Sequence, residues 1–270
     1  MFRSATAREA ALPHQRQIAT GRAICPPSDS MPKHFFFDLD NTLTRSKSHI
    51  APEHAPILKE IIGRVDVTIV SGHGEKDIHT HLEDVSGYYV LAQNGNFAQK
   101  PDGTILWERK LSPEQVSAIH AFIGKARKHL GYNVQNEADI IEDRGCQVAF
   151  SLIGHHADQD IKDAFDPDHA KRKKLLEDLK DDVASLSKDS GIEVYIGGTT
   201  VLDFVEKGKN KGYNINEFIR IMGWDKDDCI YVGDALFPGG NDETVIGIIP
   251  TRAVKDYRET YIYLQRVMKL

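Results

Sequence analysis

The feature that most restricts this chain is an alternation that begins after Met31, in which short apolar runs are each followed by an amphipathic stretch. The runs at 34–38 (HFFFD), 67–70 (VTIV) and 88–92 (YYVLA) read as buried strands, with helices at 55–63 and 75–82 between them. The same rhythm returns near the end: a helix at 211–222, a strand at 229–232 (CIYV), a short run at 246–249 and a helix near 256–267. Alternation at this spacing calls for parallel strands joined by helical crossovers. The expected fold class is α/β, a doubly wound, Rossmann-like parallel sheet whose ligands lie beyond the carboxyl ends of the strands.

The middle of the chain is organised differently. A helix is expected at 113–130, strands at 139–142 and 147–152 around Arg144-Gly145, a highly charged helix at 168–187, and strands at 193–196 and 201–205. Hairpin-like strands with helices between them imply a separate α+β unit on an antiparallel sheet. The expected organisation is a core formed by 31–107 and 206–270, with an α+β cap inserted at 108–205. Residues 1–30 stand apart, with four arginines, no lysine and two acids. They contain no signal-peptide core and read as a disordered leader; an overextended start codon before Met31 and a transit peptide are the competing explanations.

Composition excludes several classes. Of 270 residues, 40% are hydrophobic and 27% charged, as in an ordinary globular protein. No apolar run approaches the roughly 18–20 residues of a membrane span, so no membrane partner is expected. The net charge of −6, which deepens to −8 without the leader, gives no support for a nucleic-acid partner. The three cysteines include no Cys-x-x-Cys pair, which disfavours a disulfide framework or zinc site and fits a reducing cytoplasm.

Four segments carry chemistry. In FFFDLDNTLT (35–44) an aromatic strand ends in Asp38, and Asp40 follows two residues later. A carboxylate there can attack phosphorus while its neighbour handles the leaving-group proton, although two solvated acids at a strand end are common. In TIVSGHGEKD (68–77), Ser71 and Gly72 fall between a strand and a helix, where a hydroxyl and free N–H groups can hold phosphate or simply cap the helix. Lys211 opens a helix in EKGKNKGYNI, where an ammonium can neutralise a nucleophile and the transferring oxygens. IYVGDALFPGGNDE (230–243) ends a strand at Asp234 and brings Asn241 and Asp242 in its loop. If the strand ends share a crevice, Asp38, Asp234 and the Asp40 carbonyl can hold Mg²⁺.

This order of segments resembles the four-motif pattern of the haloacid-dehalogenase-like (HAD) phosphotransferases over essentially all of 31–270. The resemblance implies Asp38 as nucleophile and Asp40 as general acid/base. It implies Ser71 and Lys211 as ligands of the transferring phosphoryl group, and Asp38, Asp40 and Asp234 as holders of Mg²⁺, with Asn241 and Asp242 supporting metal and lysine. Asn41 stands where the family usually has glycine, a mild departure because Asn also tolerates unusual backbone angles. The size of the insertion looks like subfamily IIB, and IIEDRGCQVAFSLIG, YIGGTTVLDFV and GDALFPGGNDE are similar to segments of eukaryotic-type phosphomannomutases.

In those enzymes cap arginines and a Ser-x-Asp pair grip the distal phosphate and sugar. Arg144 and Asp203 stand at matching positions here, but Val201 replaces the serine, and Glu137 and Lys47 replace two arginines. A mutase must rebind its bisphosphate inverted, and lysine is not equivalent to arginine's planar fork. With Arg144 as the main cap cation, and Lys125, Arg127 and Lys128 as helpers, the first expectation is a Mg²⁺-dependent phosphatase acting on a small phosphorylated metabolite, a sugar phosphate. Phosphomannomutase, interconverting mannose 1-phosphate and mannose 6-phosphate, is the alternative. The oligomeric state is left open, with a homodimer as one outcome. His79, His81, His155 and His156 are expected at the surface, His73 near the crevice with its role open, and the tyrosines as packing anchors.

Overall fold

The computed structural model describes residues 31–131, 134 and 136–269, so the expected leader lies outside the described residues. Strand β1 (His34–Phe37) carries three fully buried phenylalanines. Side chains alternate along a strand, so Phe35 and Phe37 enter one apolar cluster and Phe36 another on the opposite face. The chain continues through α1 (Ala55–Ile62), β2 (Asp66–Val70), α2 (Glu75–His81) and β3 (Tyr89–Ala92). Two short strands follow, β4 (Phe97–Gln99) and β5 (Ile105–Glu108), each antiparallel to the strand before it.

Helix α3 (Pro113–Leu130) starts with Ser112 and Gln115 in a capping box and Pro113 in its first turn, and stops at Gly131, whose φ of 69° suits glycine. Then come β6 (Ile141–Asp143), β7 (Val148–Ser151), α4 (Gln159–Phe165), α5 (Ala170–Asp178), α6 (Lys180–Ser190), β8 (Ile192–Gly197) and β9 (Val201–Glu206). The four strands form an antiparallel sheet in the order β6-β7-β9-β8. This sheet and α3 share their own apolar cluster, with Phe122, Phe150 and Phe204 at its centre.

The last stretch contributes α7 (Lys211–Met222), β10 (Cys229–Gly233), β11 (Thr251–Ala253) and α8 (Tyr257–Met268). The seven-stranded sheet has the order β11-β10-β1-β2-β3-β4-β5, parallel from β11 to β3. The chain is thus a doubly wound parallel α/β protein with an antiparallel edge. Because β10, β1 and β2 are neighbours, the loops carrying Asp234, Asp38 and Ser71 emerge along one sheet edge. Among the described residues, no helix is long and apolar enough to cross a membrane.

Several expectations need correction. The charged helix at 168–187 is two helices, broken at Leu179 (φ −107°, ψ 22°). Leu175, Leu176, Leu179, Val183 and Leu186 keep a helical spacing across the break, so periodicity alone could not show it. The strand expected at 139–142 starts only at Ile141, because Asn136 caps a helical turn and the Asp139 carboxylate accepts from the His156 N–H. The short run at 246–249, whose type the sequence leaves open, forms a single bridge. His155 is buried, not superficial.

Candidate active site

On the core side, burial and charge converge on Lys211. Asn210 accepts from the Tyr213 N–H at 3.0 Å and so places Lys211 at the first position of α7. Its ammonium donates to Asp38 Oδ1 (2.7 Å), Asp242 Oδ1 (2.6 Å) and the Tyr231 hydroxyl (3.1 Å). The Tyr231 O–H donates in turn to Asp242 Oδ1 at 2.6 Å. Burial lowers the Lys211 pKa, but the charges of Asp242 and Asp38 outweigh it and hold the ammonium protonated. Burial, with repulsion from Asp242 and Asp234, raises the Asp38 carboxyl against the pull of Lys211. Asp234 is pushed up to about 7, first by burial and then by Asp242.

Asp38, Asp234 and Asp242 each bring a carboxylate oxygen to within 4.8 Å of the others. Crowded, desolvated acids of this kind lack positive charge, and an all-oxygen donor set suits Mg²⁺. Both Asp242 oxygens are engaged, Oδ1 by Lys211 and Tyr231 and Oδ2 by the Ala235 N–H, so Asp38 and Asp234 are the better placed ligands. The Asp40 side chain lies outside this set. Its Oδ1 accepts from the Lys47 N–H at 2.7 Å and its Oδ2 from His73 Nε2 at 2.8 Å, leaving only its backbone carbonyl for a metal. Burial would raise the Asp40 carboxyl, but His73 and the Lys47 N–H overcome this and hold it well below the usual carboxylate range.

The loop after β1 is strained where the sequence departs from glycine. Asn41 has φ 58° and Lys47 φ 51°, both left-handed. Asparagine takes that region readily, whereas lysine does so at a cost of about 1–3 kcal/mol, which the Lys47 N–H contact to Asp40 helps offset. Ser71 is buried, and its hydroxyl accepts from the His73 N–H within its own loop. Gly72 is a close approach: a Cβ there would lie 2.9 Å from Asp203 Oδ2.

The four-stranded sheet forms the roof of the cleft. Arg144 donates to the Gly72 carbonyl and to Glu142, and Gln147 joins Gly72 (3.1 Å) to Asp203 (2.8 Å). Asp203 is buried, and burial raises its carboxyl. Glu142 also accepts from Lys47 at 3.2 Å. Lys47 in turn lies 3.1 Å from His155 Nδ1, and His155 Nε2 faces the Ala149 carbonyl at 3.3 Å. Those partners assign His155 as neutral with its proton on Nε2. Lys125 and Arg127 are spent elsewhere, on Asp182 and Glu137, and no helper cation expected from α3 lines the cleft. Lys162 of α4 does, buried, with its ammonium on the His155 carbonyl at 3.2 Å.

Tyr231, Lys162, Gln147, Asn94 and Glu142 escaped the sequence reading. Tyr231 was expected only to pack; its hydroxyl, inside an otherwise aliphatic strand, had to find a polar partner, and that was the available signal. Lys162 is one lysine among many charges and carries no local mark. Gln147 and Asn94 bridge roof and floor, Asn94 reaching Gln147 at 2.6 Å and Asp203 at 3.3 Å. Asn241 donates to Asn94 at 3.4 Å and its backbone N–H pairs with Ile196, so its side chain reaches neither Lys211 nor the acidic set.

Residues 35–243 match the family model for haloacid dehalogenase-like hydrolases. The chain belongs to that family. Among its relatives are a probable phosphomannomutase of Caenorhabditis elegans, 27% identical over 86% of this chain and 94% of that protein, and phosphomannomutase 1 of Dictyostelium discoideum, 28% identical over 76% and 83%. The IMP-bound IMP-nucleotidase of Plasmodium falciparum superposes with a TM-score of 0.65 at 16% identity, over 90% of this chain and 69% of that one. A haloacid dehalogenase-like hydrolase from Bacteroides thetaiotaomicron gives 0.56 at 15%, over 87% and 99%. At such identities these structures share the HAD fold, which this chain completes with its inserted antiparallel sheet.

Proposed function

We propose that this chain is a magnesium-dependent phosphotransferase that works on a small sugar phosphate through an aspartyl phosphate on Asp38, and that its reaction is the phosphomannomutase-type interconversion of mannose 1-phosphate and mannose 6-phosphate. The observation that carries this reading is the pair of facing walls, with the Lys211–Asp38 centre below and three cations, Lys47, Arg144 and Lys162, lining the cleft around it. A substrate phosphorylated at both ends has an anion site at each wall. The phosphomannomutases among the relatives, matched over most of both chains, support the same choice.

Asp38 attacks phosphorus in line; Asp40, ionised in the free site, first takes up a proton from solvent as the anionic substrate enters and then passes it to the leaving alcohol. Lys211 neutralises the nucleophile before attack and the phosphoryl oxygens during it. A Mg²⁺ ion held by Asp38, Asp234 and the Asp40 carbonyl would offset like-charge repulsion between carboxylate and phosphate. In the return step Asp40 takes the proton of the attacking hydroxyl, and the phosphoryl group passes to the other end of the sugar. Two buried cysteines, Cys146 and Cys229, are free, which supports a reducing compartment such as the cytoplasm.

One observation favours a second reading, hydrolysis. Glu142 engages both Arg144 and Lys47, which weakens their hold on a second phosphate, and although burial raises its carboxyl, the charges of Arg144 and Lys47 pull it down to about 2. Incubation with mannose 1-phosphate, Mg²⁺ and a catalytic amount of hexose bisphosphate separates the two. The mutase reading expects mannose 6-phosphate to accumulate well ahead of free phosphate. Predominant release of free phosphate would replace it with the phosphatase.

A further inference from the structure

His73 is placed as a working residue rather than as filler. Its side chain is only 5% exposed, and it lines the cleft with Nε2 on Asp40 Oδ2. The backbone fixes it on both sides: its N–H donates to Ser71 Oγ at 3.1 Å, and its carbonyl accepts from the Gln93 N–H at 2.9 Å. Behind it the His81 ring stands edge-on, with centroids 4.9 Å apart. Nδ1 points toward Asp77, 3.9 Å away, beyond hydrogen-bond range.

We propose that His73 is a positioning residue for Asp40: its Nε2–H on Oδ2 and the Lys47 N–H on Oδ1 clamp the carboxylate from both sides and fix the direction in which it exchanges a proton with the substrate oxygen. The assignment rests on the aspartyl-phosphate reading, in which Asp40 is the acid/base. Because Lys47 contributes through its backbone, His73 is the one side chain of the clamp. Proton transfer depends steeply on placement, and an error of about 1 Å at a catalytic group costs on the order of 100-fold.

The test uses the full chain with saturating Mg²⁺ and p-nitrophenyl phosphate. Its leaving group departs without an acid, so turnover reports the later step in which water attacks the aspartyl phosphate and Asp40 takes the water proton. His73→Leu, similar in bulk but without a donor, is expected to lower kcat about 10- to 100-fold and to leave KM within about twofold. His73→Gln, whose amide N–H replaces Nε2–H, is expected to regain most of the loss. Wild-type kcat in His73→Leu, with Asp38→Asn inactive, would remove the positioning role alone. Undiminished turnover by Asp38→Asn would remove the underlying reading as well. Equal losses in the Leu and Gln variants, with raised KM and a lowered Tm, would make His73 structural and overturn the proposal.

Discussion

The two walls of the cleft handle charge in opposite ways. On the core wall Lys211 is tied directly to the groups it serves, Asp38, Asp242 and Tyr231, all buried. On the roof Arg144 pairs with Glu142, which also accepts from Lys47 of the core loop after β1, and Lys162 faces only a backbone carbonyl among its described hydrogen bonds. The core is set for one reaction before any ligand arrives. The roof's own cations are held by Glu142 and by backbone carbonyls rather than by the groups that would react. On the proposed function, chemistry falls to the α/β sheet and recognition to the inserted one, and substitutions on the two walls should then separate in kcat and KM.

The largest effect is expected at Asp38. Asp38→Asn removes the nucleophile while keeping the shape, and turnover should fall at least ~10³-fold; full activity would show that another group attacks. Lys211→Met comes next, with kcat expected to drop on the order of 10²- to 10³-fold. It also leaves Asp38 and Asp242 buried without their cation, so thermal unfolding should come earlier unless the pH is lowered to protonate them. On the roof, Lys162→Met should raise KM for a sugar phosphate by about tenfold and change kcat by less than about threefold. Equal losses in both constants would erase the distinction between the walls.

The smallest effect concerns the roof's own stability. His155 is held neutral, its pKa lowered to about 3 chiefly by burial and then by Lys47. An unfolded histidine titrates near about 6.5, so below that pH only the unfolded chain takes up the proton. Stability contributed by this site is complete above about 6.5 and declines as the pH falls toward 3. Urea midpoints measured from pH 8 down to 4.5 should fall less steeply for His155→Gln than for the wild type. Parallel curves would mean that His155 is not kept neutral in the fold.

Much of the core wall was legible in the sequence because its residues are bound to strand ends. Asp38 and Asp234 follow short apolar runs, and once those runs are parallel neighbours the acids must meet. Lys211 was legible for a similar reason, as the first residue of a capped helix. The roof was harder to read. Lys162 and Glu142 matter through contacts made across 95 residues or more or through a neighbouring carbonyl, and charge patterning treats them as solvated. His155 misled for the opposite reason: two adjacent histidines look exposed, yet only His156 is, while its neighbour turns inward. The break at Leu179 left no trace, since a bend that preserves apolar spacing is silent in a periodic pattern.

The cleft between the walls is about 40 Å³ in volume, room for no more than a few waters. At its rim the walls are joined by Arg45 to Asp163, by Ile196 to Gly239 and Asn241, and by Arg144 to the Gly72 carbonyl. Beside it lies a wider hollow of about 500 Å³ that shares Asp234, His169 and Phe237 with the cleft, so room for a sugar phosphate adjoins the acidic centre. On the proposed reading, the contacts at the rim would part where a substrate spans the cleft and the hollow beside it, and re-form once product has left.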